Sequence, residues 1–156
     1  MMPESEGPEM TIRPATPADL QSLVCLEQAC FAIPWSEQSL AADLGNPSLA
    51  HYFVAELENG EIAGSIACYT AADTAQITNL AVRPQNRRQG IGRRLLAALL
   101  DWARQNGIRT VDLEVRVSNE PAIRLYEEAG FVTVGRRPHY YADNAEDANI
   151  MLKKFF

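Results

Sequence analysis

The sequence predicts a single domain of mixed helix and strand, α+β or α/β, built on a mixed sheet. Three observations lead there. Helical and strand periodicities alternate along the chain in the order β-α-α-β-β-β-α-β-α-β-β; the strand-like segments occur both in direct succession and separated by helices; and no repeat, linker or low-complexity tract interrupts them. At 156 residues such a chain can bury roughly 70% of the surface it exposes when unfolded, so it needs no metal or disulfide staple.

Each element has a local cause. Thr-Ile-Arg-Pro-Ala after Met10 reads as a short first strand, and Thr16-Pro17-Ala18-Asp19 opens a helix with a cap, a proline at its first position and an acid at its third. Leu20, Leu23, Val24 and Phe31 form its apolar stripe. The break Ile33-Pro34-Trp35 leads to Ser36, which caps a second short helix ending near Gly45-Asn46-Pro47. Strands are expected over Tyr52–Leu57 and Ile62–Tyr69, with Asn59-Gly60 between them suiting a type I′ turn, and a third over Gln76–Val82. Ile91, Leu95, Leu96, Leu99 and Ala103 recur at helical spacing, which predicts a helix from about Gln89 to Gln105 stopped by Asn106-Gly107. Strict alternation over Val111–Val117 predicts a strand with one buried face. A helix capped by Ser118-Asn119 then runs through Ala122, Leu125 and Tyr126 to Gly130, and strands Phe131–Arg137 and Asn149–Phe155 flank the polar loop Pro138–Ala148.

Charge is distributed unevenly. Residues 1–82 hold 11 acids and the single base Arg13, whereas 83–156 hold 13 bases and 9 acids. Arg83, Arg87, Arg88, Arg93 and Arg94 fall within twelve residues that contain no acid. A net charge of −6 argues against general nucleic-acid or membrane binding, which works through summed positive charge. It leaves open a small anion held at the arginine cluster. Cys25, Cys30 and Cys68 are odd in number with no C-x-x-C pattern, and the only histidines are His51 and His139, which predicts a reduced, cytoplasmic protein without a metal site. Residues 1–9 are expected to be a disordered acidic lead, with the domain over 10–156; the lead lacks the apolar core of a signal peptide, and no run is long enough to span a membrane.

The first chemical candidate is Arg87-Arg88-Gln89-Gly90-Ile91-Gly92, between a strand end and a helix start. Amides of a first helical turn lack partners and carry about half a positive charge, glycines allow close approach, and arginines add charge-assisted hydrogen bonds. Leu95 stands where a dinucleotide fingerprint has its third glycine, and no G-K-[ST] follows, so two common phosphate loops are excluded. The second candidate, Glu114, shares the polar face of its strand with Asp112 and Arg116, where a surface ion pair is the plainer reading. For Tyr126 a core or half-buried packing role is the default, and Asn119 reads as a helix cap. The cysteines have no visible base and read as packing residues.

In combination these segments resemble one family. Ile77-Thr78-Asn79-Leu80-Ala81-Val82, then Arg87-Arg88-Gln89-Gly90-Ile91-Gly92, Leu113-Glu114-Val115-Arg116 and Ser118 to Phe131 are similar to the core of the GCN5-related N-acetyltransferases (GNAT), with the Q/R-x-x-G-x-G/A motif met by Arg87, Gly90 and Gly92. The resemblance covers about residues 10–155. It implies a mostly antiparallel seven-stranded sheet with four helices, a V-shaped split between the strands at 76–82 and 111–117, and acetyl-coenzyme A as co-substrate with no metal. Cys30 to Ser36, Leu113 to Arg116, Asn119 to Tyr126 and Arg137-Pro138-His139-Tyr140-Tyr141 resemble, more narrowly, the bacterial RimI-type enzymes that acetylate the N-terminal alanine of a small-subunit ribosomal protein. By that resemblance Glu114 is the general base and Tyr126 the general acid. Leu80, Ala81, Val82, Arg87, Arg88, Gln89, Gly90, Ile91, Gly92, Arg93 and Asn119 would hold the cofactor. From their own amphipathic character, Trp35, Tyr140 and Tyr141 would line the acceptor peptide, with Trp35 reading equally as a core plug after Pro34. The partner would be the N-terminal segment of a ribosomal protein, with no nucleic acid or membrane involved, and the enzyme a monomer or weak dimer.

Overall fold

A computed structural model describes residues 9–155. The expected acidic lead therefore lies, apart from Glu9, outside the described residues. The strands are β1 (Met10–Pro14), β2 (Ala50–Leu57), β3 (Ile62–Ala71), β4 (Thr74–Val82), β5 (Thr110–Arg116), β6 (Val132–Arg137) and β7 (Ala148–Lys154), and the helices α1 (Leu20–Cys30), α2 (Glu37–Leu44), α3 (Ile91–Gln105) and α4 (Glu120–Glu128). They form one seven-stranded sheet in the order β1-β2-β3-β4-β5-β7-β6, in which only the β4–β5 pair is parallel. The mixed, mostly antiparallel sheet and four helices expected from the sequence are those found.

Two cores sandwich the sheet. On one face Ile91, Leu95, Leu96, Leu99 and Ala103 of α3 and Tyr126 of α4 pack on Ile66, Cys68, Ile77, Val111, Leu113 and Met151. On the other, Leu23 and Leu26 of α1 and Leu40 of α2 pack on Tyr52, Val54, Ala67 and Ala81. Contact between α3 and β3 is close enough to demand Gly64: a Cβ there would stand 2.8 Å from the Ala81 carbonyl and 3.2 Å from Ile91 and Leu95.

The local signals hold with two corrections. Ser36 caps α2 by accepting from the Ser39 amide at 3.1 Å, and β5 alternates buried and half-buried residues along its length. The β2–β3 loop, however, is not a type I′ turn. Gly60 is its one residue with positive φ (+89°) among Glu58, Asn59 and Gly60, Gly60 N–H donates to Leu57 O at 2.9 Å and Leu57 N–H to Glu61 O at 2.8 Å. This is a three-residue loop with the glycine in the left-handed bulge position, and Asn59 instead accepts from the Glu61 amide at 3.0 Å. Helix α3 begins at Ile91 rather than Gln89, because Gly90 is its cap at φ +80°.

Candidate active site

The site originates in a failure of strand pairing. β4 and β5 pair from Thr74–Thr110 to Ile77–Leu113 and no further. β3 continues with β4 as far as Val82, and β7 with β5 as far as Arg116, so the sheet opens into a V and leaves one edge of residues 78–82 without a strand partner. The fork holds a cleft of about 930 Å³.

One wall comes from α1, the α1–α2 loop and β4, with Glu27, Cys30, Phe31, Trp35, Gln76, Asn79 and Leu80 on the cleft; the other comes from β5, α4 and the β6–β7 loop, with Glu114, Arg116, Asn119, Tyr126, Arg137, Tyr140 and Tyr141. Glu114, Tyr126, Asn119, Leu80 and the aromatic trio are thus brought to one cavity. The loop at 87–93 lies beside it, at the start of α3.

Glu114 is held by its neighbours. Its carboxylate pairs with the Arg137 guanidinium, accepts from the Tyr140 hydroxyl at 3.0 Å and from Gln76 at 3.4 Å. Arg137, part of the Arg137–Tyr141 segment but without a role legible there, reaches Glu114 from β6 across the intervening β7. Tyr126 is 6% exposed and meets Phe131 edge-on at 5.6 Å. Burial, with a lesser contribution from Tyr141, raises the pKa of its hydroxyl well above the ordinary phenol value. Asn119 accepts from Ala122 N–H at 3.3 Å, so it caps α4 and lines the cleft at once.

The β6–β7 loop is built onto the second wall. Arg116 bridges Asp143 at 3.0 Å and Glu146 at 3.2 Å and lies 4.0 Å from the Tyr141 ring centre, while Glu146 accepts from Ser118 N–H at 2.8 Å. Donors from Ser118 and Arg116 hold the Glu146 carboxyl down, at about 2. On the first wall, Trp35 is half-buried and stacks on Tyr69 at 6.1 Å, so it both packs and faces the cleft.

The loop at 87–93 has a backbone suited to an anion. Arg88 (φ +65°) and Gly90 (φ +80°) are left-handed on either side of Gln89, an alternation that turns successive N–H groups to one side. The first turn of α3 follows, with its orphan amides. A Cβ on Gly92 would stand 3.6 Å from Leu125 and 3.9 Å from Leu80 and Val82, so glycine keeps a methyl-sized gap open between β4 and α4. Arg87 donates to Val82 O at 2.9 Å, and Arg93 pairs with Glu128 at 2.7 Å. These residues fit the diphosphate of a coenzyme.

The acetyltransferase (GNAT) family model matches residues 20–131. The chain belongs to the acetyltransferase (GNAT) family. Like the family it is an acetyl-coenzyme A-dependent N-acetyltransferase. Among GNAT relatives, the [ribosomal protein bS18]-alanine N-acetyltransferase of Escherichia coli (strain K12) is 39% identical over 143 residues, 90% of this chain and 95% of that one. That of Haemophilus ducreyi is 37% identical over 123 residues, covering 79% and 83%. The crystal structure of the ribosomal-protein-S18-alanine N-acetyltransferase from Escherichia coli superposes with a TM-score of 0.86 at 38% identity over 94% of each chain.

Two further residues stand on the first wall, Glu27 and Asn79, neither of which has a role of its own in the sequence motifs. Glu27 is 4% exposed, accepts from the Trp35 amide at 2.9 Å and from the Asn79 side chain. An acid inside the stripe Leu20, Leu23, Val24, Phe31 was the available signal. Of the three cysteines expected to pack, Cys25 is exposed instead, while Cys30 packs against the α1-side core and also lines the cleft, with its thiol 3.4 Å from Val82 O. Burial pushes the Cys68 thiol up to about 12, which leaves it inert at neutral pH. Among the described residues no helix is long and apolar enough to cross a membrane.

Proposed function

We propose that this chain transfers the acetyl group of acetyl-coenzyme A to the N-terminal alanine amine of a small-subunit ribosomal protein, with Glu114 as general base through a water and Tyr126 as general acid. The observation that carries the reading is that Glu114 and Tyr126 line one cleft at the point where β4 and β5 part. The bS18-alanine N-acetyltransferase name borne by relatives matched over most of the chain supports the substrate class.

Bound acetyl-coenzyme A supplies an activated acyl group and a thiolate leaving group. The protein's task is then to hold two ends in register and to move two protons. Residues 87–93 and Asn119 hold the cofactor, and the unpaired edge of Leu80, Ala81 and Val82 offers backbone hydrogen bonds along its length. The acceptor must lose a proton before it attacks. An α-ammonium has a pKa near ~7.7–8.0 against ~10.4 for lysine, a difference worth roughly 3.4 kcal/mol, so a chain terminus is the easier nucleophile. The Glu114 carboxylate has about four acceptor sites, and its three donors leave capacity for a water that relays the amine proton. Burial keeps the Tyr126 hydroxyl protonated at any physiological pH, so its proton is in place for the departing sulfur. Trp35, Tyr140 and Tyr141 form the aromatic surroundings of the peptide terminus.

The deciding experiment offers the protein a ribosomal-protein peptide beginning with alanine, and the same peptide with its terminus blocked and lysines free. Acetylation of the first alone is expected. Acetylation of the blocked peptide alone would replace the terminal-amine reading with a lysine or small-amine one.

A further inference from the structure

β4 carries an irregularity that decides what the first wall presents. Ala67 of β3 faces Asn79, but the next residue, Cys68, faces Ile77, so Thr78 is an extra residue in β4. The bulge reverses the alternation of the strand. Ile77 lies in the α3-side core and so do Leu80 and Val82, whereas Asn79 and Ala81 turn to the α1 side. Had β4 kept a regular alternation through Thr78, Asn79 would share the face of Ile77 and point into the apolar core. With it, Asn79 stands on the cleft wall beside Glu27, just past the last β4–β5 pair.

The polar inventory of this pair is one bond short. Glu27 is an acceptor on both oxygens, one taking the Trp35 amide at 2.9 Å and the other the Asn79 amide group. A carboxylate acceptor fixes the orientation of the asparagine: Nδ2 faces Glu27, and Oδ1 is left over. Among the described residues Asn79 Oδ1 is the one buried side-chain nitrogen or oxygen without a hydrogen-bond partner. Such an orphan is unfavourable to leave unpaired, and its residue lines the cleft that the acceptor has to enter.

We propose that Asn79 Oδ1 accepts an N–H of the acceptor's terminal amine, with Glu27 as the positioning residue that fixes the asparagine amide and the end of the α1–α2 loop at Trp35. The acceptor is then gripped from both walls, by Asn79 on β4 and by the Glu114 side on β5. Oδ1 is shielded in the free protein, and it comes to the cleft by a small swing of the planar amide about χ2, a torsion with a broad well, in which Nδ2 moves with it but stays within reach of the Glu27 carboxylate. This rests on the acetyl-acceptor reading of the cleft given above.

The pairing allows a test by exchange. In Glu27→Gln the side-chain carbonyl still accepts from Trp35, but its NH2 now faces Nδ2, so Asn79 flips and spends Oδ1 on residue 27. In Asn79→Asp two carboxylates face each other. In the double variant Glu27→Gln/Asn79→Asp the donor and acceptor are exchanged, one carboxylate oxygen again faces the cleft, and total charge is conserved. Steady-state kinetics should show acceptor KM raised about tenfold in each single variant, acetyl-coenzyme A KM unchanged, and acceptor KM in the double variant returned to within about threefold of the original protein. Melting temperatures accompany each measurement, so that any variant that fails to fold is replaced by Asn79→Ser, for which the same acceptor-only rise is expected. Single variants with unaltered acceptor KM, an equal rise for acetyl-coenzyme A, or a double variant no better than the worse single one would overturn the proposal. The acceptor is whichever amine the unaltered protein acetylates, so a failure of the alanine peptide counts against the substrate reading and not against this one.

Discussion

The hydroxyl of Tyr140 donates to the Glu114 carboxylate at 3.0 Å, which ties the rim of the β6–β7 loop to the strand at the base of the fork. The bond separates two roles that a single substitution would confuse. Glu114→Gln still offers Tyr140 an oxygen but takes up no proton, so kcat should fall by about 10²–10⁴-fold while coenzyme A affinity and melting temperature stay near their original values. Tyr140→Phe removes one donor at a residue 47% exposed, and should cost less than about tenfold in kcat/KM. Unchanged turnover in Glu114→Gln would remove it as the base.

Tyr126 gives a prediction about pH. Because burial raises its pKa above the usual phenol value of about 10, the proton is lost only at still higher pH. Activity should therefore show no alkaline limb from this residue up to about pH 10. Tyr126→Phe keeps the ring against Phe131 and should lower kcat by about 10²-fold or more at every pH, with little change in melting temperature. A limb below pH 10 that disappears in Tyr126→Phe would contradict the burial argument.

What the sequence made legible was what depends on neighbours along the chain. The alternation of β5, the stripe of α3 and the Ser36 cap each follow from spacing or from one residue's hydrogen bond, and the structure has them where expected. The fork between β4 and β5 became legible only through family resemblance, since nothing in either strand records where pairing stops. Residues whose meaning depends on a distant partner were missed. Arg137 reaches Glu114 across β7, and Asn79 owes its direction to a bulge at Thr78 that leaves no mark in an apolar-polar pattern. The Asn59-Gly60 turn was misread because the dipeptide favours a two-residue loop, whereas the strand ends closed around three.

Arg88 holds a left-handed backbone at φ +65°, a conformation that costs a non-glycine residue on the order of 1–3 kcal/mol. Arg88→Gly should therefore leave the fold as stable or raise stability by up to about 1 kcal/mol, and at the same time weaken coenzyme A binding and flatten its dependence on salt. Calorimetric titration at two ionic strengths, with thermal melts alongside, reads both effects. Undiminished affinity with unchanged salt dependence would show that the arginine is not part of the phosphate site.

Asp19 predicts how the fold responds to acid. Its carboxylate takes two hydrogen bonds of 2.9 Å from Arg13 and one of 2.8 Å from the Thr16 amide, at a residue 7% exposed. The Arg13 bonds are the largest cause of its pKa lying below the ordinary aspartate value, against the opposing effect of burial. A depressed folded pKa means that the unfolded chain binds the proton more readily, so the stabilisation is present above the free-aspartate value of about 4 and is lost as pH falls through the lower folded value. Asp19→Asn can still accept from Thr16 but gives up the ion pair, and Arg13 retains Glu56 at 2.8 Å, which limits the loss. At pH 7 the variant should be less stable by about 2 kcal/mol, or about 6 °C in melting temperature. The gap between the two proteins should hold from pH 8 to about pH 5 and close below about pH 4. A gap that persisted unchanged to pH 2 would assign the loss to packing and not to the charge on Asp19.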